Sequence, residues 1–137
     1  MPRTNYREKN YDIDLEYGEK GEDLICKIFE EDSKVEGSIE VKTERGQWKD
    51  TGNIAIEIAK KQGDKVIASC LNITDAKWWI HILKSDDLMH YSLIFPVKVL
   101  KRKINIMLSD GRAKKTWGGD DNNSRLVLLP LEEIHKL

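Results

Sequence analysis

The residues with the clearest chemical content lie in Ser38-Ile39-Glu40-Val41-Lys42-Thr43-Glu44. Apolar and charged side chains alternate through Ile39–Lys42, which predicts a strand with one buried face. Alternate side chains share a face, so Glu40 and Lys42 should emerge side by side. A carboxylate beside an ammonium suits phosphodiester hydrolysis: the acid holds a divalent metal, and the lysine positions water and offsets developing charge. A solvent-facing Glu and Lys would look the same in sequence, so the pair needs further acids near it. Glu22 is one, on a helix upstream of the strand. A hairpin loop at Val35-Glu36-Gly37 would pair Lys34 with Ser38 and set Asp32 opposite Glu40, about 5 Å away between backbones. The expected catalytic group is therefore Glu22, Asp32, Glu40 and Lys42, with the three acids as metal ligands. Glu36 and Glu57 remain open as alternatives for the second acid. Glu57 shares a strand face with Asn53.

The elements that must position these groups follow from periodicity. Leu15, Leu24, Ile25, Ile28 and Phe29 fit a helical face, with Gly18 and Gly21 weakening its start. Residues 1–11 are polar and read as a loose arm. After the Glu40 strand comes a polar loop, Arg45 to Gly52, and then a second alternating strand from Asn53 to Ala59. Thr51-Gly52-Asn53 could cradle a phosphate through its amides. A third strand is expected at Lys65 to Leu71, and a short helical turn at Thr74-Asp75. Trp78 to Leu83 leans towards strand on its aromatic and β-branched content, and Ser92 to Phe95 is another strand. Pro96 opens a helix with Val97, Leu100, Ile104, Met107 and Leu108 on one face, ended by Gly111. Trp117 to Asn123 reads as a loop in which Gly118 and Gly119 are mainly structural. Leu126 to Leu129 is a buried strand, and a closing helix starts at Leu131. The expected class is α/β (α+β), one domain over residues 1–137.

The chain has 137 residues and a formal net charge of −1, which disfavours a protein that merely coats nucleic acid. The charge is uneven, however. Acids crowd between Glu16 and Asp32, and bases cluster between Lys98 and Lys115. Arg45, Lys49, Asn53, Lys101, Arg102, Lys114 and Lys115 are the expected nucleic-acid contacts. No apolar run approaches a membrane span, and the N-terminus lacks the apolar core of a signal peptide. With Cys26 and Cys70 far apart, a reducing cytoplasm is expected. His81, His90 and His135 have no metal-ligand spacing, and His81 in an apolar stretch reads as a core residue. Trp78, Trp79, Trp117 and Leu126 to Leu129 exceed what a short chain easily hides, and predict a homodimer.

The order Glu22, Asp32, Glu40-Val41-Lys42 resembles the PD-(D/E)XK nuclease superfamily. Glu40 to Arg45, Trp48 to Glu57, Thr74 to Trp79 and Gly118 to Asn122 are together similar to a group of small nuclease-like proteins of phages and bacterial genomes. The likeness runs from about Tyr17 to Leu131. It implies a restriction-endonuclease-like fold, a mixed central sheet flanked by helices. It also implies magnesium or manganese as cofactor and DNA, including branched DNA of the Holliday junction kind, as partner. The alternatives are a non-catalytic nucleic-acid-binding or assembly subunit on the same fold, and an unrelated α+β interaction domain.

Overall fold

The computed structural model describes residues 2–85 and 90–136, with side chains described from residue 15 and, at His90, the backbone alone. Met1 and Leu137, ends of the expected arm and closing helix, lie outside the described residues. The chain divides into two compact units, Met1–Glu36 and Gly37–Leu137.

The first unit holds one helix, α1 (Pro2–Lys34), of 33 residues. It runs through the stretch expected to be a loose arm. Gly18 and Gly21 lie inside it with open space around them; a solvated glycine costs a helix only about 1 kcal/mol, and the surrounding Glu, Lys and Leu favour it. Glu16 and Lys20 add an i,i+4 ion pair at 3.1 Å. Asp32 therefore lies on a helix. The hairpin that was to pair it with Glu40 does not form, because the helix continues through Lys34 and takes the backbone groups that a strand would have offered.

The second unit is α+β, as expected from the alternating patterns, with its strands shared between two sheets rather than gathered in one. A three-stranded sheet has the order β1 (Ile39–Glu44), β4 (Trp78–Lys84), β5 (His90–Pro96). β1 runs parallel to β4, with Glu40 beside Trp79 and Lys42 beside His81, and β4 runs antiparallel to β5. A four-stranded sheet has the order β3 (Lys65–Ala68), β2 (Asn53–Gln62), β7 (Ser124–Pro130), β6 (Lys114–Gly118). The expected loop after β1 contains a short helix, α2 (Gln47–Thr51), closed by Gly52 at φ 72, a conformation glycine adopts without strain. α3 (Val97–Ser109) follows Pro96 and buries Val97, Leu100, Ile104 and Met107, the face read from sequence. β6 lies partly in the basic block and was not expected as a strand. The expected turn at Thr74 is non-helical, preceded by a 3₁₀ turn at Cys70–Asn72, and the closing helix is a 3₁₀ turn at Leu131–Glu133.

Ile54, Ile56, Leu71, Trp79, Leu83, Phe95, Val127 and Leu129 join the α3 face in one buried cluster. Of the apolar residues counted as more than a short chain easily hides, Trp79, Val127 and Leu129 belong to the core, while Trp78, Trp117, Leu126 and Leu128 are half-buried. No described helix is long and apolar enough to cross a membrane.

β1 presents its faces the opposite way round from a strand with its apolar side in. Glu40, Lys42 and Glu44 are partly buried, while Val41 is 51% exposed. Stability should reflect this. Ile54→Ala is expected to cost about 2–5 kcal/mol, and Val41→Ser within about 0.5 kcal/mol, by urea denaturation. A larger loss at Val41 than at Ile54 would contradict this orientation.

Candidate active site

The inward face of β1 opens on a cleft of about 400 Å³, lined among others by Glu40, Lys42, Glu57, Lys60, Ser69 and Cys70. Lys42 Nζ lies 2.8 Å from Glu40 Oε1, with both side chains about one-third exposed (37% and 34%). The hydrogen bond that Lys42 donates to Glu40 outweighs the cost of burial, and with Cys70 and Glu57 nearby it holds the Lys42 ammonium above its ordinary pKa. Lys42 is therefore cationic at neutral pH.

Glu57 comes from β2, just before a bulge between Glu57 and Ala59 in its pairing with β7. Bulges re-aim side chains and interrupt pairing. Here the Ile58 carbonyl accepts the Ser69 amide and the Asn72 side chain, which draws the Ser69-Cys70 turn against Glu57. The Glu57 carboxylate then accepts hydrogen bonds from Ser69 Oγ (2.8 Å), Cys70 Sγ (2.9 Å) and Ser124 Oγ (2.5 Å). Burial alone would raise its pKa. The three donors and Lys60 outweigh burial and hold it below the ordinary carboxylate value. Glu57 thus adds stability above the pKa it has when unfolded, and that stability is lost as pH falls through its lowered folded value. Burial, and then the Glu57 carboxylate, push the Cys70 thiol up to about 11.

Of the acids considered from sequence, Glu57 is the one that lines this cleft with Glu40 and Lys42. Asp32 is on α1 rather than on a strand opposite Glu40, and Glu22 is exposed on the same helix. Glu36 belongs to the first unit. Ser69, Cys70 and Ser124 were missed because nothing in their local sequence marks them; they meet Glu57 only through the fold. Glu44 was missed as well, although its place on the alternation with Glu40 and Lys42 was readable.

Two further spaces adjoin the cleft. A cavity of about 240 Å³ shares Lys42, Glu57 and Cys70 with it and reaches Glu44, His81 and Leu126. A groove of about 620 Å³ shares Glu44, Ala55 and Leu126 with that cavity and continues past Arg45, Trp48 and Asn53 to Gly118 and Gly119. Of the expected nucleic-acid contacts, Arg45 and Asn53 line this groove. Lys49 is exposed on α2 and Arg102 on α3. Lys114 is exposed on β6 opposite Leu128. Lys101 and Lys115 line a separate pocket with Ile104 and Val127, on the α3 side of the sheet. The amides of Gly52 and Asn53, considered as a phosphate cradle, are used internally by the Trp48 carbonyl and the Thr51 hydroxyl.

Among the described residues no group of three or more His, Cys, Asp or Glu is placed to hold a metal ion. Glu40 and Glu57 supply two carboxylates on one cleft, the donor set magnesium accepts while keeping most of its waters. No known protein family, curated protein or solved structure matches the chain.

A thiol held at about 11 is unreactive near neutrality. Iodoacetamide at pH 8 is expected to modify exposed Cys26 and spare Cys70, and Glu57→Gln should speed labelling of Cys70. Equal labelling of both thiols in the unaltered protein, followed by mass spectrometry, would contradict the Cys70–Glu57 bond.

Proposed function

We propose that the chain is a metal-dependent nuclease of the PD-(D/E)XK kind, hydrolysing DNA phosphodiester bonds in the cleft at Glu40, Lys42 and Glu57. One observation carries the reading: an acid and an ammonium in contact on β1 share a cleft with a second acid from β2. Glu57 takes the role first assigned to Asp32. Glu40 and Glu57 would hold magnesium or manganese, which supplies water activation and neutralises charge on the phosphate. Lys42 is held cationic, so it donates to a phosphate oxygen or orients the attacking water, and does not begin as the base. The hydrogen bonds from Ser69, Cys70 and Ser124 fix the Glu57 carboxylate before substrate arrives, as electrostatic preorganisation requires. Arg45 and Lys60 supply positive charge along the cleft and groove. Branched DNA as substrate and a homodimer as the working form are finer proposals within this reading.

A second reading, a nucleic-acid-binding or assembly subunit without chemistry, draws on one feature. Glu57 already has three hydrogen-bond donors, which a metal would have to share. Purified protein on linear, flap, cruciform and single-stranded DNA, with and without magnesium, separates the two. Magnesium-dependent cleavage is expected, and Glu40→Ala, Lys42→Ala and Glu57→Ala should each lower it by roughly a hundredfold or more with unchanged circular dichroism. DNA retained on a gel without product supports the second reading. Full activity in the Glu40 or Lys42 variant would sink the assignment of the site.

A further inference from the structure

His81 has no part in the chemistry above, yet it is 1% exposed and sits beside Lys42 in the β1–β4 register. Its Nδ1 accepts the indole N–H of Trp79 at 3.1 Å, and the two rings stack with 6.4 Å between centroids. An indole nitrogen is a donor only. Nδ1 must therefore keep its lone pair, and the bonding pattern assigns the imidazole proton to Nε2. That N–H faces Glu44 Oε2 at 3.4 Å. Among the described residues neither atom has a hydrogen-bond partner, and both are closed to solvent. The other oxygen, Glu44 Oε1, accepts the Ala55 amide at 2.5 Å.

Two hydrogen bonds, Trp79 to His81 and Ala55 to Glu44, flank a 3.4 Å approach of His81 Nε2 to Glu44 Oε2 in which donor type faces acceptor type. Together they link β4, β1 and β2, and so cross from one sheet to the other. Glu44 stands two residues beyond Lys42, and Ala55 two residues before Glu57. Trp79, His81 and Glu44 also wall the cavity that Lys42 and Glu57 share. Metal ligation by His81 would need the Nε2 lone pair, which this tautomer lacks.

We propose that His81 is a positioning residue: by holding Glu44 against the Ala55 amide, it sets the spacing of Lys42 and Glu57 across the two sheets. The reaction it serves rests on the nuclease reading; the geometry does not.

Glu44→Gln keeps the shape but brings an amide N–H against either His81 or Ala55, donor to donor. The imidazole cannot answer by moving its proton, because Trp79 blocks Nδ1. Trp79→Phe removes that block. The single variant Glu44→Gln is expected to lower single-turnover cleavage at saturating DNA roughly tenfold or more, with displaced amide resonances at Ala55 and Glu57. Adding Trp79→Phe should recover much of the rate and return those resonances, although loss of the indole lowers the melting temperature. Activity rising while stability falls is what a merely structural role does not produce; a double variant worse in both respects overturns the proposal. The histidine ¹⁵N resonances test it independently, since an Nδ1–H tautomer in the unaltered protein also overturns it. Should the unaltered protein cut no DNA, the nuclease reading falls. The positioning of Glu57 is then decided by the same amide resonances: return in the double variant upholds it, and no return rejects it.

Discussion

Among the described strands, β3 pairs with β2 only from Ala59 onward, so none pairs with that edge between Asn53 and Glu57. The Ala55 amide on that stretch needs an acceptor, and Glu44 Oε1 supplies it at 2.5 Å. An unpaired buried amide costs about 1–3 kcal/mol, and a buried carboxylate without donors costs more. Each group satisfies the other. The consequence spreads along β1, because alternate residues must share a face. With Glu44 turned towards β2, Glu40 and Lys42 turn the same way, and Val41 and Thr43 are left outside. One edge contact thus fixes which face of β1 carries the charges, and so where a cleft with chemical potential can be.

The cleft itself is organised around Glu57. Three donors reach one carboxylate, and two of them come from successive residues, Ser69 and Cys70. Delivering both requires Cys70 to take φ 44, a left-handed conformation that costs a non-glycine residue roughly 1–2 kcal/mol. The Ile58 carbonyl, exposed by the bulge, anchors the turn that holds this conformation. This strained residue lies beside the pocket, and its side chain donates to Glu57. The thiol acts as a hydrogen-bond donor and, at about 11, stays protonated. Its contribution is to hold the acid charged and still, in the same cleft as the Glu40–Lys42 pair.

How much of this was legible depends on whether the information was local. β4 was readable because its aromatic and β-branched content leans towards strand, and β1, β2 and α3 because their apolar period is carried by neighbouring residues. The shared face of Glu40 and Lys42 was readable for the same reason. Asp32 was misplaced because Val35-Glu36-Gly37 has turn chemistry that serves a helix end as well as a hairpin. Only the continuous helix-forming run before it, through Lys34, decides between them. Glu57 was visible as a charged residue on an alternating strand, but its company was not: Ser124 lies 67 positions away. Lys114–Gly118 carries two lysines and a glycine in five residues, a poor strand by propensity, and becomes one through pairing with β7. His81 was correctly read as a core residue, since Trp79, His81 and Leu83 alternate with half-buried neighbours. What its second nitrogen faces is set by the fold, through Glu44 of the neighbouring strand, and is not carried by that alternation.

The surface charges sort by side of the four-stranded sheet. Lys101 and Lys115 sit on the side packed by α3, whereas Ala55, Glu57, Leu126 and Leu128 face the cavities. Arg45 lines the groove, and Lys42 and Lys60 line the cleft; of the basic block, Lys114 is on the groove side of β6, opposite Leu128. A Cβ on Gly118 would lie 2.7 Å from Leu126 Cδ1, so a side chain there would displace the end of Leu126. Leu126 also lines the inner cavity, so a bulkier residue at Gly118 would disturb a wall of that cavity. The glycine that read as mainly structural in the sequence thus bears on a residue, Leu126, that lines both the groove and the inner cavity.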